Sequence, residues 1–289
     1  MEFVITLLAD PKKAHLSEAF VQSMVLSLAS QEVVVQKIEW RAENIACDLH
    51  TQHSALNTLN HITQTILVDQ PYDGIVQAVE TRGKKLLISD MDSTMITVEC
   101  IDELADFVGK KSEVSRITER AMNGELNFES ALTERVALLE GMPEAVLQEC
   151  YDERVKMMAG AKELLSSFKQ KGGYAVLVSG GFTFFTSRVR AELGFDADFA
   201  NELEIVDGKL TGKVKLPILG KEAKLKTLQE TCEKMNISPT EVMAIGDGAN
   251  DLPMLMAAGL GVAYHAKPVV RAQANAQLNH CDLSVLMWI

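Results

Sequence analysis

The sequence predicts an α/β protein with a doubly wound parallel sheet of the Rossmann-like type, preceded by a smaller α+β domain. In the second part of the chain, short apolar runs each meet a turn residue and then a helical segment: LLIS (86–89), YAVLVS (174–179), VMAIG (242–246) and GVAYH (261–265). Strands that alternate with helices form parallel sheets. The first part instead shows the order strand, helix, strand, strand, helix, strand, which is typical of a ferredoxin-like βαββαβ sandwich.

The elements of the N-terminal part follow from hydrophobic periodicity. Strands are predicted at 3–9, from Val33, near 44–50 and from Asp73, and helices at 15–30 and 55–68. The polar stretch Thr81-Arg82-Gly83-Lys84-Lys85 follows them, and such composition favours a connecting segment. We therefore divide the chain into domains 1–82 and 83–289.

Residues 97–160 interrupt the alternation of strands and helices. Two groups of apolar residues recur there at helical spacing: Ile101, Leu104, Ala105 and Val108, then Phe128, Ala131, Leu132, Val136 and Leu139. The segment is predicted to be a mostly helical insertion between the first two strands of the parallel sheet. Because it follows the carboxyl end of a strand, where open α/β sheets bind ligands, it is a candidate cap.

Charge and cysteine content argue against several classes of protein. The net charge is −12, whereas nucleic-acid and anionic-membrane binders require basic surface. The five cysteines include no CxxC pair, which favours reduced thiols over a zinc site or a disulfide framework. No run reaches the ~18 apolar residues of a membrane span, and the N-terminus lacks the features of a signal peptide. We expect a soluble, cytoplasmic protein.

Polar residues follow three of the predicted strands. They are Asp90-Met91-Asp92-Ser93-Thr94, Ser179-Gly180-Gly181 and Asp247-Gly248-Ala249-Asn250-Asp251. Taken singly, each segment has an ordinary explanation, because Asp, Asn and Ser cap helices and turns. Taken together at one edge of a sheet, the carboxylates offer Mg²⁺ the hard oxygen ligands that it prefers. The small residues that precede a helix suit an anion.

Lys224 is the candidate cation for such a site. It lies in the amphipathic segment GKEAKLKTLQE, just before the strand at 242–246. Most lysines on such a helix are solvated, but a phosphate site built on aspartates requires a fixed positive charge.

The ordered set DxDxT, Ser-Gly-Gly, lysine and GDGxND resembles the haloacid dehalogenase superfamily of phosphohydrolases over residues 84–289. Glu99 and the segment that holds Met122, Phe128 and Arg135 are similar to the phosphoserine phosphatase family in particular. The resemblance implies a Mg²⁺-dependent enzyme. Its expected reaction is the hydrolysis of O-phosphoserine to serine and phosphate through an aspartyl-phosphate, the last step of serine biosynthesis.

The resemblance also implies the roles at the reacting centre. Asp90 is the expected nucleophile, and a carboxylate with an ordinary pKa near ~4 is already ionised at neutral pH. Asp92 is the expected general acid and then base, which requires a raised pKa. Mg²⁺ is expected on Asp90, the backbone carbonyl of Asp92 and Asp247, with Asp251 supporting it through hydrogen bonds or water.

The remaining implied roles concern the phosphate and the amino acid. Ser179, the amide of Gly180 and Lys224 are expected on the phosphoryl oxygens, with Asn250 orienting Lys224 or the phosphate. Glu99 is expected to bind the substrate ammonium and Arg135 its carboxylate, beside Gly181 and the apolar walls Met122 and Phe128. Arg135 also stands out by itself, because it lies on an apolar helix face. There it either extends to solvent or faces a site.

The N-terminal pattern resembles the ACT-like, amino-acid-sensing domains attached to some bacterial phosphoserine phosphatases. Those domains carry a glycine in the first loop, where this chain has Ala9-Asp10-Pro11-Lys12-Lys13. We therefore expect a homodimer through this domain and no ligand there. Two alternatives stay open at this point. One is a phosphatase or phosphotransferase for another small phosphomonoester, and the other is a non-catalytic amino-acid sensor.

Overall fold

A computed structural model describes residues 1–53 and 55–289, without the side chain of Lys221. The N-terminal part contains β1 (Glu2–Leu8), α1 (Glu18–Ser30), β2 (Val35–Ala42), β3 (Ala46–Gln52), α2 (Leu56–Leu67) and β4 (Asp73–Ala78). Its four strands form an antiparallel sheet in the order β2-β3-β1-β4. The predicted βαββαβ pattern is thus confirmed.

The rest of the chain contains eight strands and nine helices within the described residues. The strands are β5 (Leu86–Ser89), β6 (Tyr174–Phe182), β7 (Ala197–Asn201), β8 (Leu203–Val206), β9 (Lys209–Val214), β10 (Val242–Gly246), β11 (Leu260–Tyr264) and β12 (Ala276–Leu278). The helices are α3 (Cys100–Phe107), α4 (Lys111–Met122), α5 (Phe128–Ala137), α6 (Ala145–Arg154), α7 (Ala161–Gln170), α8 (Thr183–Leu193), α9 (Lys221–Met235), α10 (Leu252–Ala257) and α11 (Pro268–Arg271).

Six strands form a parallel sheet in the order β12-β11-β10-β5-β6-β7. Apolar residues of α7 and α8, such as Leu165 and Phe185, pack with Leu87 on one face of this sheet. Leu228 of α9 and Met254 of α10 pack on the other face. Helices on both faces make the sheet doubly wound, as predicted.

The helical insertion lies between β5 and β6, as predicted, and consists of α3 to α6. The antiparallel hairpin of β8 and β9 adjoins it, because β9 packs against α5. The sequence analysis did not predict this hairpin, nor β7 and β12. It also placed Ser179-Gly180-Gly181 in a turn, whereas β6 continues through these residues to Phe182, with irregular pairing to β7 between Val178 and Phe182.

The helix-free face of the N-terminal sheet packs on the part of the chain that holds the parallel sheet. Leu8 and Ile75 belong to the same apolar cluster as Leu87. The buried carboxylate of Asp73 accepts hydrogen bonds from the backbone amides of Asn279, His280 and Cys281, at 2.8–3.0 Å. Among residues 1–53 and 55–289, no helix combines the length and the apolar character needed to cross a bilayer.

Candidate active site

The two acidic segments meet because β5 and β10 are neighbours in the parallel sheet. Asp90 follows β5, and its backbone amide donates to the carbonyl of Ile245 at 3.0 Å. Asp247 follows β10, and its Oδ1 accepts a hydrogen bond from Thr94 Oγ1 at 3.1 Å. Asp90, Asp247 and Asp251 are all buried, and each places an oxygen within 4.8 Å of the others. This carboxylate cluster is a candidate site for a divalent cation.

Asp251 organises the segment after β10. Its Oδ2 accepts hydrogen bonds from the amides of Asp247 and Gly248, at 3.1 and 3.0 Å. Its Oδ1 accepts one from Lys224 Nζ at 2.5 Å. Both oxygens of Asp251 are therefore engaged in hydrogen bonds within the protein.

Lys224 is buried, unlike most lysines of an amphipathic helix, and is 2% exposed. Its Nζ lies 2.8 Å from Asp90 Oδ1 as well as 2.5 Å from Asp251 Oδ1. Burial by itself would lower the pKa of Lys224, but the two carboxylates raise it above its ordinary value, so the side chain stays protonated. Asp251 therefore holds Lys224 in place, whereas the sequence analysis expected Asn250 to orient either Lys224 or the phosphate.

A small cavity of about 50 Å³ opens between the sheet and the helical insertion. Ten of the thirteen predicted site residues line it: Asp90, Asp92, Glu99, Met122, Phe128, Arg135, Ser179, Gly180, Gly181 and Asn250. The other three, Lys224, Asp247 and Asp251, contact or adjoin Asp90 beneath it. The structure thus brings all the predicted residues together.

Burial and like charge raise the pKa values of Asp90, Asp92 and Asp247. Burial raises the pKa of Asp90 to about 7, the neighbouring Asp251 adds to this shift, and Lys224 opposes it. Burial, then Glu99 and Asp90, raise the pKa of Asp92 well above its ordinary value. Burial, then Glu99, Asp251 and Asp90, do the same for Asp247. A proton on Asp92 at neutral pH is the state that a general acid requires.

Glu99 and Arg135 lie at the insertion side of the cavity. Glu99 Oε1 accepts a hydrogen bond from Ser93 Oγ at 2.5 Å. Arg135 is 6% exposed, so it faces the site instead of extending to solvent. Its Nη1 donates to Thr118 Oγ1 at 2.9 Å, and Thr118 Oγ1 lies 2.6 Å from Asp102 Oδ1.

The sequence analysis missed Thr118 and Asp102. The available signal was polarity on an apolar helix face, since Thr118 follows Val114 by one turn and both are buried in α4. A buried hydroxyl between a guanidinium and a carboxylate fixes the arginine side chain, because each polar group then has a partner.

The Ser179–Gly181 segment approaches its neighbours closely. A Cβ on Gly180 would lie 2.4 Å from Phe128 Cζ, and one on Gly181 would lie 2.9 Å from Asp92 Oδ2. Gly181 donates its amide to Ser179 Oγ at 2.8 Å, while Asn201 Nδ2 donates to the carbonyl of Gly180 at 2.9 Å. Glycines therefore let the backbone reach the cavity, and Asn201, which the sequence analysis missed, anchors it.

The fold and the site are those of a hydrolase with a doubly wound parallel sheet and a helical insertion beside the cavity. Residues 87–256 match the haloacid dehalogenase-like hydrolase family. The chain belongs to this family. It is 50% identical to a phosphoserine phosphatase of Polaromonas sp. over 70% of this chain and 88% of that protein. It is 47% identical to a phosphoserine phosphatase of Archaeoglobus fulgidus over 75% of this chain, but spans only 61% of that relative.

Solved structures agree with these relatives. A haloacid dehalogenase family hydrolase from Salmonella enterica serovar Typhi has a TM-score of 0.85 at 30% identity, covering 99% of this chain and 97% of that one. The phospho-aspartyl intermediate analogue of a phosphoserine phosphatase has a TM-score of 0.67 at 39% identity, covering 70% and 96%. The predicted resemblance to phosphoserine phosphatases is confirmed, and the chain is a phosphatase enzyme.

Proposed function

We propose that this protein hydrolyses O-phosphoserine to serine and phosphate through an aspartyl-phosphate on Asp90. The observation that carries the proposal is one small cavity lined by Asp90, Asp92, Glu99 and Arg135. It pairs a phosphoryl-transfer centre with one partner for an ammonium and one for a carboxylate. The names of the relatives support the same substrate.

The first step is attack of the Asp90 carboxylate on phosphorus. Lys224 opposes the rise that burial causes in the pKa of Asp90, and so favours the ionised form of the nucleophile. The bond from phosphorus to the serine oxygen breaks as the new bond to Asp90 forms. Asp92, whose pKa is raised, gives its proton to the departing serine oxygen.

The second step is hydrolysis of the aspartyl-phosphate. Asp92, now ionised, takes a proton from a water molecule that attacks phosphorus, and phosphate leaves from Asp90. Acid–base assistance of this kind contributes typically ~10²–10⁴-fold to the rate. Ser179, the amide of Gly180 and Lys224 hold the phosphoryl oxygens during both steps, with Asn250 beside them, because phosphoryl transfer depends mostly on positioning and charge stabilisation.

Selectivity for phosphoserine resides in the insertion. Arg135 can bind both oxygens of a carboxylate with its planar fork, and Glu99 is placed to bind the ammonium. Met122, Phe128 and Gly181 enclose the short serine backbone between them. A sugar phosphate would leave both charged residues without partners, at a cost in binding free energy.

The cation that we propose is Mg²⁺, held by Asp90, Asp247 and the backbone carbonyl of Asp92. The donor set fits, because hard oxygen atoms gather there. Burial, followed by the charges of neighbouring carboxylates, raises the pKa values of Asp90 and Asp247, and a cation would offset that repulsion. When bound, Mg²⁺ supplies positive charge to the phosphoryl group. Asp251 fixes the backbone amide of Asp247 and so holds that ligand in place.

We also propose that residues 1–82 form an ACT-like domain that mediates a homodimer. Residues 83–289 then form the phosphatase domain, with residues 97–160 as its cap, and the protein acts in the cytoplasm in serine biosynthesis. Sedimentation velocity of the full chain tests the dimer, and a purely monomeric protein at micromolar concentration would contradict it.

A substrate comparison tests the proposed activity. With Mg²⁺, the protein should release phosphate from O-phosphoserine far faster than from sugar phosphates, and Asp90→Asn should abolish the release. Asp69→Asn, a change at an exposed acid, is the control. Equal turnover of sugar phosphates and phosphoserine would favour the alternative of a phosphatase for another small phosphomonoester.

A further inference from the structure

A second cavity lies where the N-terminal sheet meets the hydrolytic part of the chain, and we call it the junction cavity. It measures about 360 Å³. Arg41 of β2 contributes from the N-terminal sheet, Arg82 and Lys84 from the connection to β5, and Lys171 from the end of α7. The connection enters β5 at the end opposite Asp90, so the junction cavity is separate from the active site.

The lining of the junction cavity is basic in an acidic protein. The chain holds 40 acidic and 28 basic residues, yet four basic side chains line this cavity. Within the part of the chain that the structure describes, no aspartate or glutamate side chain lines it. Ile289 also lines it, and a free carboxylate there would offset at most one of the charges.

The four positive charges are unequally compensated. Arg82 forms a bidentate salt bridge with the buried Asp48, with Nη1–Oδ2 at 2.6 Å and Nη2–Oδ1 at 3.0 Å. Arg41 lies 3.7 Å from both Glu39 and Asp48, a distance too long for a good hydrogen bond.

The two lysines are oriented by backbone carbonyls. Lys171 Nζ donates to the carbonyl of Met287 at 2.8 Å. Lys84 Nζ donates to the carbonyls of Thr81 and Thr240. Carbonyls orient an ammonium without neutralising it, and Glu241, which acts on Lys84 from outside the cavity, is already paired with Lys85 at 2.6 Å.

The pKa of Lys171 agrees with an excess of positive charge in the cavity. Burial, followed by the charges of Arg41 and Arg82, lowers the pKa of Lys171. Burial lowers the pKa of Lys84 to about 8, against the opposing effect of Glu241. An anion would relieve the repulsion of Lys171 by Arg41 and Arg82 and would favour the charged form of Lys84.

We propose that the junction cavity is a second binding site, for a small organic anion that carries a phosphate or a carboxylate group. The anionic group would contact Arg41, Lys84 and Lys171, while Leu164 and Phe168 provide apolar surface for the rest of the molecule. The volume lies within the ~300–1,000 Å³ of small-molecule pockets. Since Arg41 belongs to the N-terminal sheet and Lys171 to α7, the bound anion would bridge the two parts of the protein.

Equilibrium dialysis of the full chain against radiolabelled inorganic phosphate tests this site. Wild type should bind two phosphates per chain, one of them in the active site. The variant Arg41→Gln/Lys171→Gln should bind the second phosphate at least about tenfold more weakly and keep the wild-type kcat and KM on O-phosphoserine. Both substituted side chains are exposed, so unchanged kinetics also show that the variant folds. The control Arg154→Gln/Lys226→Gln makes the same change of charge at other exposed positions.

Competition then identifies the anionic group. Methylphosphonate or succinate, added at equilibrium, should displace the second phosphate, and whichever does so identifies a phosphate-type or a carboxylate ligand. One phosphate per wild-type chain, two tight phosphates in the Arg41→Gln/Lys171→Gln variant, or displacement by neither compound would each overturn the proposal.

Discussion

Lys224 and Asp90 form an ion pair inside the protein, with Nζ 2.8 Å from Oδ1 and both side chains almost wholly removed from solvent. A buried pair is costly to break, because removing one partner leaves the other charged and desolvated. Here the pair is extended by Asp251, which contacts the same Nζ at 2.5 Å. The arrangement holds a positive charge beside the candidate nucleophile in a part of the protein from which solvent is excluded.

Replacing Lys224 should shift the pH dependence of the reaction. Lys224 lowers the pKa of Asp90, so Lys224→Gln should raise that pKa further and leave Asp90 protonated at neutral pH. Because the nucleophile acts as the anion, the ascending limb of kcat/KM should move to higher pH. We also expect the free energy of unfolding to fall by about 3–5 kcal/mol. Kinetics across pH and urea unfolding measure both effects. Lys226→Gln is the control, and an unshifted limb would contradict the role given to Lys224.

The roles of Asp90 and Asp92 can be separated by the leaving group. Asp92→Asn should slow the first turnover of O-phosphoserine by ~10²–10⁴-fold, because the serine oxygen needs a proton to depart. p-Nitrophenyl phosphate has a good leaving group, so the rate of its first turnover should fall much less. Rapid-quench or stopped-flow measurement should then show a burst of nitrophenol, since hydrolysis of the intermediate lacks its base. An equal loss on both substrates would count against Asp92 as the acid.

Much of the fold and site follows from local sequence. Apolar runs predict β5, β6, β10 and β11 because each is buried on both faces of the sheet. β7 (ADFAN) is an edge strand of mixed polarity, and β12 (AQL) has only three residues. Neither contains an apolar run that is long enough to predict a strand. Their existence depends on pairing with distant strands.

The active site also contains some features that the sequence predicts and others that it does not. Motif residues were found because several distinctive segments occur in order. The contact of Asp251 with Lys224 and the contact of Thr118 with Arg135 join residues that are 27 and 17 positions apart. Periodicity carries no information about which polar group will meet which across such distances, so these contacts appear only in three dimensions.

Thr118 should act as a positioning residue for Arg135. Thr118→Val removes the hydroxyl that accepts from Arg135 Nη1 at 2.9 Å, so the guanidinium loses one of its fixed contacts. KM for O-phosphoserine should rise by roughly tenfold, the equivalent of one charged hydrogen bond, with kcat little changed. KM for phosphoethanolamine, which lacks the carboxylate, should stay constant. Thr133→Val, at an exposed threonine of α5, is the matched control, and a parallel rise for both substrates would indicate general damage.

Asp73 should stabilise the docking of the N-terminal sheet without affecting catalysis. Its carboxylate accepts hydrogen bonds from the three backbone amides of residues 279–281. Asp73→Ala leaves these donors without that partner. The free energy of unfolding should fall by about 3 kcal/mol or more, measured by urea denaturation. Values of kcat and KM at low temperature should match wild type, because the site residues lie at the other sheet. Asp69→Ala provides the control at an exposed position. Unchanged stability would mean that the apolar contacts of Leu8 and Ile75 alone hold the two sheets together.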